Sequence, residues 1–169
     1  MADRLAQLLG VLSLGASDRV RSSVDASLGR AGAHAAALVH LDAHPGDSVQ
    51  ALADVLEVSQ PAAVKVVNRL ADAGLLERRE GPDRRTRALY LTAHGRAAAA
   101  RVLAERASQL EHVLGALDHE ERTRLEPLLE KLVAALACDL PGGLTVCRMC
   151  DRATCCGAPG GCPLAHTTT

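Results

Sequence analysis

Five of the chain's six cysteines fall between positions 147 and 162, in the run VCRMCDRATCCGAPGGCPLAHTTT. Cys147, Cys150, Cys155 and Cys162 have the spacing C-x2-C-x4-C-x6-C, with Cys156 beside the third. A Cys-x-x-Cys pair offers two thiolates from one tight turn, and Gly157, Gly160 and Gly161 let the chain fold back to bring up the others. Such a set can surround one metal centre. An iron–sulfur cluster is held by four thiolates, often in a compact run ending in Cys-Pro as Cys162-Pro163 does here. A structural Zn2+ site also takes four cysteines but usually from two Cys-x-x-Cys pairs, and this run has one. A thiol–disulfide switch needs only two of the cysteines. Cys156 and His166 are substitute ligands, whereas Cys138, on a helical stretch, reads as a small core residue.

A second set of residues suits a different chemistry. In SQPAAVKVVNRLADAG, Val64, Val67, Leu70 and Ala71 recur at spacings of three and four, which predicts the buried face of a helix. Ser59 stands at its N-cap and Gly74 at its end. Gln60, Ala62, Lys65, Asn68 and Arg69 fall on the other face. Small residues at a helix start let it approach base edges, Gln can pair with adenine, and Lys or Arg can reach guanine or phosphate. The sequence then runs LLERREGPDRRTRALYLT, two short strands around a Gly81-Pro82-Asp83 turn. Asp83, Arg84 and Arg85 stand at the hairpin tip, with Arg87 on the return strand, and a tip arginine can enter a narrow minor groove. From Lys65 to Arg101 there are nine Lys or Arg against four acids, although the whole chain carries a net charge of −1. A local basic patch on a near-neutral protein is the footprint of a polyanion site.

These residues need elements to hold them. Residues 48–57 predict a short helix capped by Asp47 or Ser48, which makes helix, turn, helix and charged hairpin the organising unit at 48–92. Before it, residues 3–30 predict a long helix with a narrow stripe (Leu5, Leu8, Leu9, Leu12, Val20, Val24, Leu28), broken at Gly29 and Gly32, and an apolar helix at 33–43. His34, His40 and His44 lie in or beside that second helix with no acid to complete a metal site. After the hairpin, Thr92 caps an Ala-rich helix to about 117. Asp118 and Glu121 have capping-box spacing, and the final helix they open carries Leu125, Leu128, Leu129, Leu132, Val133 and Leu136, with Pro127 inside. Its broad apolar face suits a helical dimer bundle.

With Ser59-Gln60, the Gly74-Leu75-Leu76-Glu77-Arg78 exit, the Asp-x-Arg pair Asp83 and Arg85, and Leu91-Thr92, residues 48–92 resemble regulators of the MarR family. The resemblance extends more weakly over residues 3–140. It implies a homodimer with interleaved first and last helices, the 59–74 helix in the major groove, Arg85 in the minor groove and Asp83 as its positioning partner. The tail resembles a cysteine motif of some actinobacterial members.

The sequence therefore predicts a mainly α fold with a small β-wing. Its parts are a helical dimerisation region at 1–32 and 93–141, a winged helix-turn-helix domain at 33–92 and a cysteine-rich tail at 142–169. The expected function is sequence-specific binding of double-stranded DNA at a palindromic operator, as a homodimer, under control of redox state, nitric oxide or iron through a cluster on the tail, or Zn2+ in its place. One alternative senses a small molecule in the dimer crevice and uses the tail as a zinc staple, although Tyr90 as the sole aromatic provides poorly for a planar ligand. Another is a redox or protein-interaction module that binds DNA without sequence preference. No nucleophile triad, phosphate loop or paired-carboxylate pocket suggests an enzyme. His119-Glu120 is followed by Thr123 where a zinc protease needs its second histidine. No stretch reaches the roughly 20 apolar residues of a membrane span and no signal peptide is visible, so the expectation is cytoplasmic.

Overall fold

The computed structural model describes residues 3–29, 32–80, 87–138, 145–157 and 161–164, leaving aside the side chains of 137 and 138. Helix α1 (Arg4–Leu28) starts at Asp3, whose carboxylate accepts the Leu5 N–H at 3.1 Å, and runs through Gly10 and Gly15. It stops at Gly29, which takes the left-handed conformation (φ 61°) and donates its N–H to Asp25 at 2.7 Å. Helix α2 (Ala33–Ala43) is apolar on every side, and its residues from Ala35 to Leu41 are all buried. A helix of that kind belongs at the centre of a core.

Helix α3 (Val49–Leu56) is capped by Ser48, whose hydroxyl accepts the Ala51 N–H at 3.1 Å. Helix α4 (Gln60–Asp72) follows, then strands β1 (Leu76–Glu80) and β2 (Arg87–Leu91). The strands pair antiparallel with Leu76 opposite Leu91, Arg78 opposite Leu89 and Glu80 opposite Arg87. The α2–α3 connection lies along the outer edge of β2: Gly46 donates to the Leu89 carbonyl at 2.8 Å, and Leu89 donates to the Asp47 carbonyl at 3.0 Å. Helix α5 (Ala93–Leu114) is capped by Thr92, which also donates its hydroxyl to the Gly74 carbonyl at 2.7 Å. The expected capping box forms before α6 (His119–Cys138), Asp118 and Glu121 each bonding the other's N–H at 2.9 Å.

One apolar cluster joins α2, α3, α4, both strands and the start of α5; a second joins Val24, Ala35, Val39 and Val102. Helix α1 lies against α5, with Ser23 donating to Glu105 at 2.6 Å and Arg19 to Gln109 at 3.3 Å. The first half of α1 and the apolar face of α6 stay exposed, including Leu8, Leu12, Leu128 and Leu132. The mainly helical fold with one small two-stranded wing is the architecture the sequence predicts.

Two local expectations are corrected. Ser59 occupies the N-cap of α4 with extended backbone, but its hydroxyl makes no capping bond; its carbonyl takes the N–H groups of Ala62 and Ala63 instead, and Pro61 removes one of the orphan donors. Val64 does not join the buried face. It is 39% exposed, and Ala63, Val66, Val67 and Leu70 form that face.

Candidate nucleic-acid interface

Helix α4 is fixed from below by its buried face and from behind by the turn at Gly74 (φ 69°), where Leu75 donates to the Leu70 carbonyl at 2.9 Å. Its outer face presents Gln60, Lys65, Asn68 and Arg69, all exposed, with Ala62 half-buried at the first turn. Val64 stands among them and leaves an apolar patch on this face. The sequence pattern missed this because one apolar residue at helical spacing fits either face of a short helix.

Beside this face lies the wing. Arg78 donates to the Asn68 side chain, which ties β1 to α4. Arg79 lies 4.6 Å over the Tyr90 ring and pairs with Glu77, so its charge is held along the strand. Arg87 is exposed on β2. The expected minor-groove residues Asp83, Arg84 and Arg85 lie outside the described residues.

The tail folds back onto the body of the protein. The Cys-x-x-Cys pair closes as a turn in which Cys150 donates its backbone N–H to the Cys147 carbonyl at 2.8 Å. Helix α7 (Arg152–Gly157) carries Cys155 and Cys156 and is opened by Asp151, which accepts from the Ala153 N–H at 3.0 Å and the Thr154 hydroxyl at 2.7 Å. The Thr154 bonds hold the Asp151 carboxyl below its ordinary range. Burial pushes the Cys147 thiol up, and the nearby Cys162, Cys155 and Cys156 add to the shift. Burial likewise pushes Cys150 up to about 12, reinforced by Cys155 and Cys147 and opposed by Arg106 of α5. The four expected ligands thus share one neighbourhood, and their thiol chemistry suits a thiophilic centre. Among the described residues, however, no group of three or more His, Cys, Asp or Glu is gathered closely enough to hold a metal ion. His166 lies outside the described residues. His40 and His44 stack on each other at 4.6 Å, and His40 bonds Asp47.

The MarR family model matches residues 28–86, which span α2 to the wing. Over 90 residues the chain is 38% identical to a protein assigned as the transcriptional regulator of the hcr operon in Thauera aromatica, covering 53% of this chain and 54% of that one. It therefore spans about half the length of that curated relative. A MarR-family protein of Mycobacterium tuberculosis superposes with a TM-score of 0.63 at 29% identity, over 78% of this chain and 96% of the other. The YusO protein of Bacillus subtilis does so with a TM-score of 0.67 at 28% identity, over 80% and 99%. Over its winged-helix region the chain is similar to MarR-family proteins.

The MarR family model ends well before the cysteines. Residues that the sequence did not single out connect the tail to the family fold. Met149 packs against both apolar clusters, Arg152 reaches His44 at 3.1 Å, and the Arg106 charge acts on Cys150. Arg148 and Met149 also wall a 420 Å³ cavity between α1, α2 and α5, together with Arg21 and Arg106. None of these contacts has a periodic or spaced signature in the sequence.

Proposed function

We propose that this protein is a DNA-binding transcriptional regulator of MarR type that acts as a homodimer on a palindromic operator. The observation that carries this reading is the outer face of α4, where Gln60, Val64, Lys65, Asn68 and Arg69 project beside an arginine-bearing wing. Hydrogen-bonding, apolar and cationic groups on one exposed helix are what a major groove can read. The unpartnered leucines of α1 and α6 supply the surface for a second copy, and a pair of such helices about 34 Å apart matches one turn of duplex.

In this reading the tail is the sensor. Cys147, Cys150, Cys155 and Cys162 would hold an iron–sulfur cluster, or Zn2+ in its place, with Cys156 as a spare thiol; a bound cluster would supply sensitivity to oxidant, nitric oxide or iron supply. Ligation requires thiolates. The half-buried, protonated thiols of Cys147 and Cys150 would each release a proton as they become ligands.

A second reading is favoured by the 420 Å³ cavity, whose lining includes Arg21, Arg106 and Arg148 among alanine, valine and leucine. The same Mycobacterium tuberculosis relative is also described in complex with p-aminosalicylic acid, and an anionic small molecule would suit this lining.

Selection of duplexes from a random pool, followed by binding at several salt concentrations, tests the DNA reading. A selected palindrome with a steep salt slope is expected; a slope without sequence preference would leave a non-specific DNA-binding or protein-interaction module. Anaerobic purification with iron, sulfide and zinc analysis separates the tail's cofactors. Replacing Cys147 and Cys150 with Ser should abolish the response of DNA binding to oxidant or chelator, and an unchanged response would remove the tail as sensor.

A further inference from the structure

Between the tail and the groove-facing helix runs an unbroken line of contacts. Arg152 Nη1 lies 3.1 Å from His44 Nε2. A guanidinium only donates, so that nitrogen accepts and the His44 ring is neutral, with its proton on Nδ1. His44 stacks on the buried His40 at 4.6 Å. His40 Nε2 lies 2.8 Å from an Asp47 carboxylate oxygen, which accepts, so His40 donates there. The Asp47 carbonyl accepts the Leu89 N–H at 3.0 Å, and Gly46 donates to the Leu89 carbonyl at 2.8 Å. Leu89 stands opposite Arg78 in the wing, and Arg78 holds Asn68 on α4. The line therefore starts two residues after Cys150 and ends on the face proposed to meet DNA.

Its anchor lies within the ligand turn itself. Met149 sits between Cys147 and Cys150 in the Cys-x-x-Cys turn and reaches both apolar clusters, touching the core that carries α2. A change in the separation of those two thiols larger than their side-chain rotations supply must rotate the turn between them. Met149 is half-buried against the two clusters, and such a rotation shifts its side chain relative to a core that resists continuous deformation. Arg152, one residue after the Asp151 cap of α7, moves with the same segment.

We propose that residues 145–157 form a strap whose docking through Met149 and Arg152 sets the order of the wing base, so that chemistry at the tail thiols is read out at the Gly46–Asp47–Leu89 contacts. This deepens the sensor reading and rests on it for biological purpose, but the mechanical coupling can be measured by itself. Alkylating the thiols undocks the strap, His44 loses its tether, and the His40–Asp47 contact no longer pins the edge of β2. The wing and α4 then lose their fixed relation.

The test is amide hydrogen exchange on the full chain, with Cys138 replaced by Ser so that N-ethylmaleimide acts on tail thiols alone. Alkylation is expected to speed exchange at the Leu89 and Gly46 amides by about tenfold, a local opening rather than global unfolding. Arg152→Ala and His44→Ala should each give that faster exchange without reagent, and alkylation should then add little. The proposal is overturned if alkylation leaves these amides unchanged, or if both variants respond to the reagent as the parent does. Binding of the same proteins to a duplex selected by the parent is measured in parallel. Failure of the parent to select any duplex sinks the DNA-binding reading, while the exchange result still decides the strap.

Discussion

A methyl group added at Gly95 would lie 1.9 Å from the Leu75 carbonyl oxygen and 3.2 Å from the Leu91 side chain. The obstacle is backbone at the point where wing and α5 meet, and the Leu75 carbonyl already accepts the Thr92 N–H at 3.1 Å. Gly95→Ala should therefore cost about 1–3 kcal/mol or more, the range for overpacking a fixed site, read as a lower urea midpoint. Nothing in the sequence marks this glycine, since it sits in the first turn of an Ala-rich helix where alanine has the higher propensity. Capping residues were more legible. Ser48, Thr92 and the Asp118–Glu121 pair do what their positions suggest, because a cap depends on neighbours three residues away. Ser59 has the same signature without the bond. Ser48→Ala should therefore destabilise the fold by about 1 kcal/mol, and Ser59→Ala by clearly less; equal losses in urea unfolding would contradict the assigned caps.

Helices, turns and strands were largely readable because their signals are local. The apolar period placed α2 at the residues found, and glycines ended α1 and α4 where expected. What the period could not decide was the rotation of α4: its apolar set fits two overlapping faces, and the wing and α3 select the one that leaves Val64 outside. Recognition chemistry belongs to this scale, since each side chain acts only through the helix that carries it. Lys65 stands at the centre of the exposed face. Lys65→Ala should weaken binding to a selected duplex and, if Lys65 meets a phosphate, lower the salt slope by about one, with the melting temperature unchanged. Equal affinity at all salt concentrations would mean that α4 approaches DNA by another face. The tail is the opposite case. Its cysteine spacing was plain, but its seat on α2 and α5 depends on Met149, Arg106 and His44, which are brought together only by the tertiary fold.

At the scale of the whole molecule the apolar surface is unevenly spent. The winged helix buries most of its leucines and valines, whereas Leu128, Leu132 and Leu136 of α6 remain more than half exposed, and so do Leu5, Val11 and Leu12 of α1. Removing a leucine side chain from water contributes about 1.5–3 kcal/mol, so the second copy proposed above would strongly stabilise two helices left this bare. In that reading association would also decide affinity. Two linked half-site readers bind one palindrome at high effective concentration, an advantage of about 10²-fold or more over a single reader. Leu132→Glu places a carboxylate in the middle of the α6 stripe, where it touches no core residue of its own chain. The variant should keep its helical circular dichroism, sediment as a monomer at concentrations where the parent is a dimer, and lose most of its affinity for the full palindrome while binding an isolated half-site as the parent's single reader does. A variant that remains dimeric would place the interface on α1 alone, and the spacing of the two α4 helices would then be set without α6.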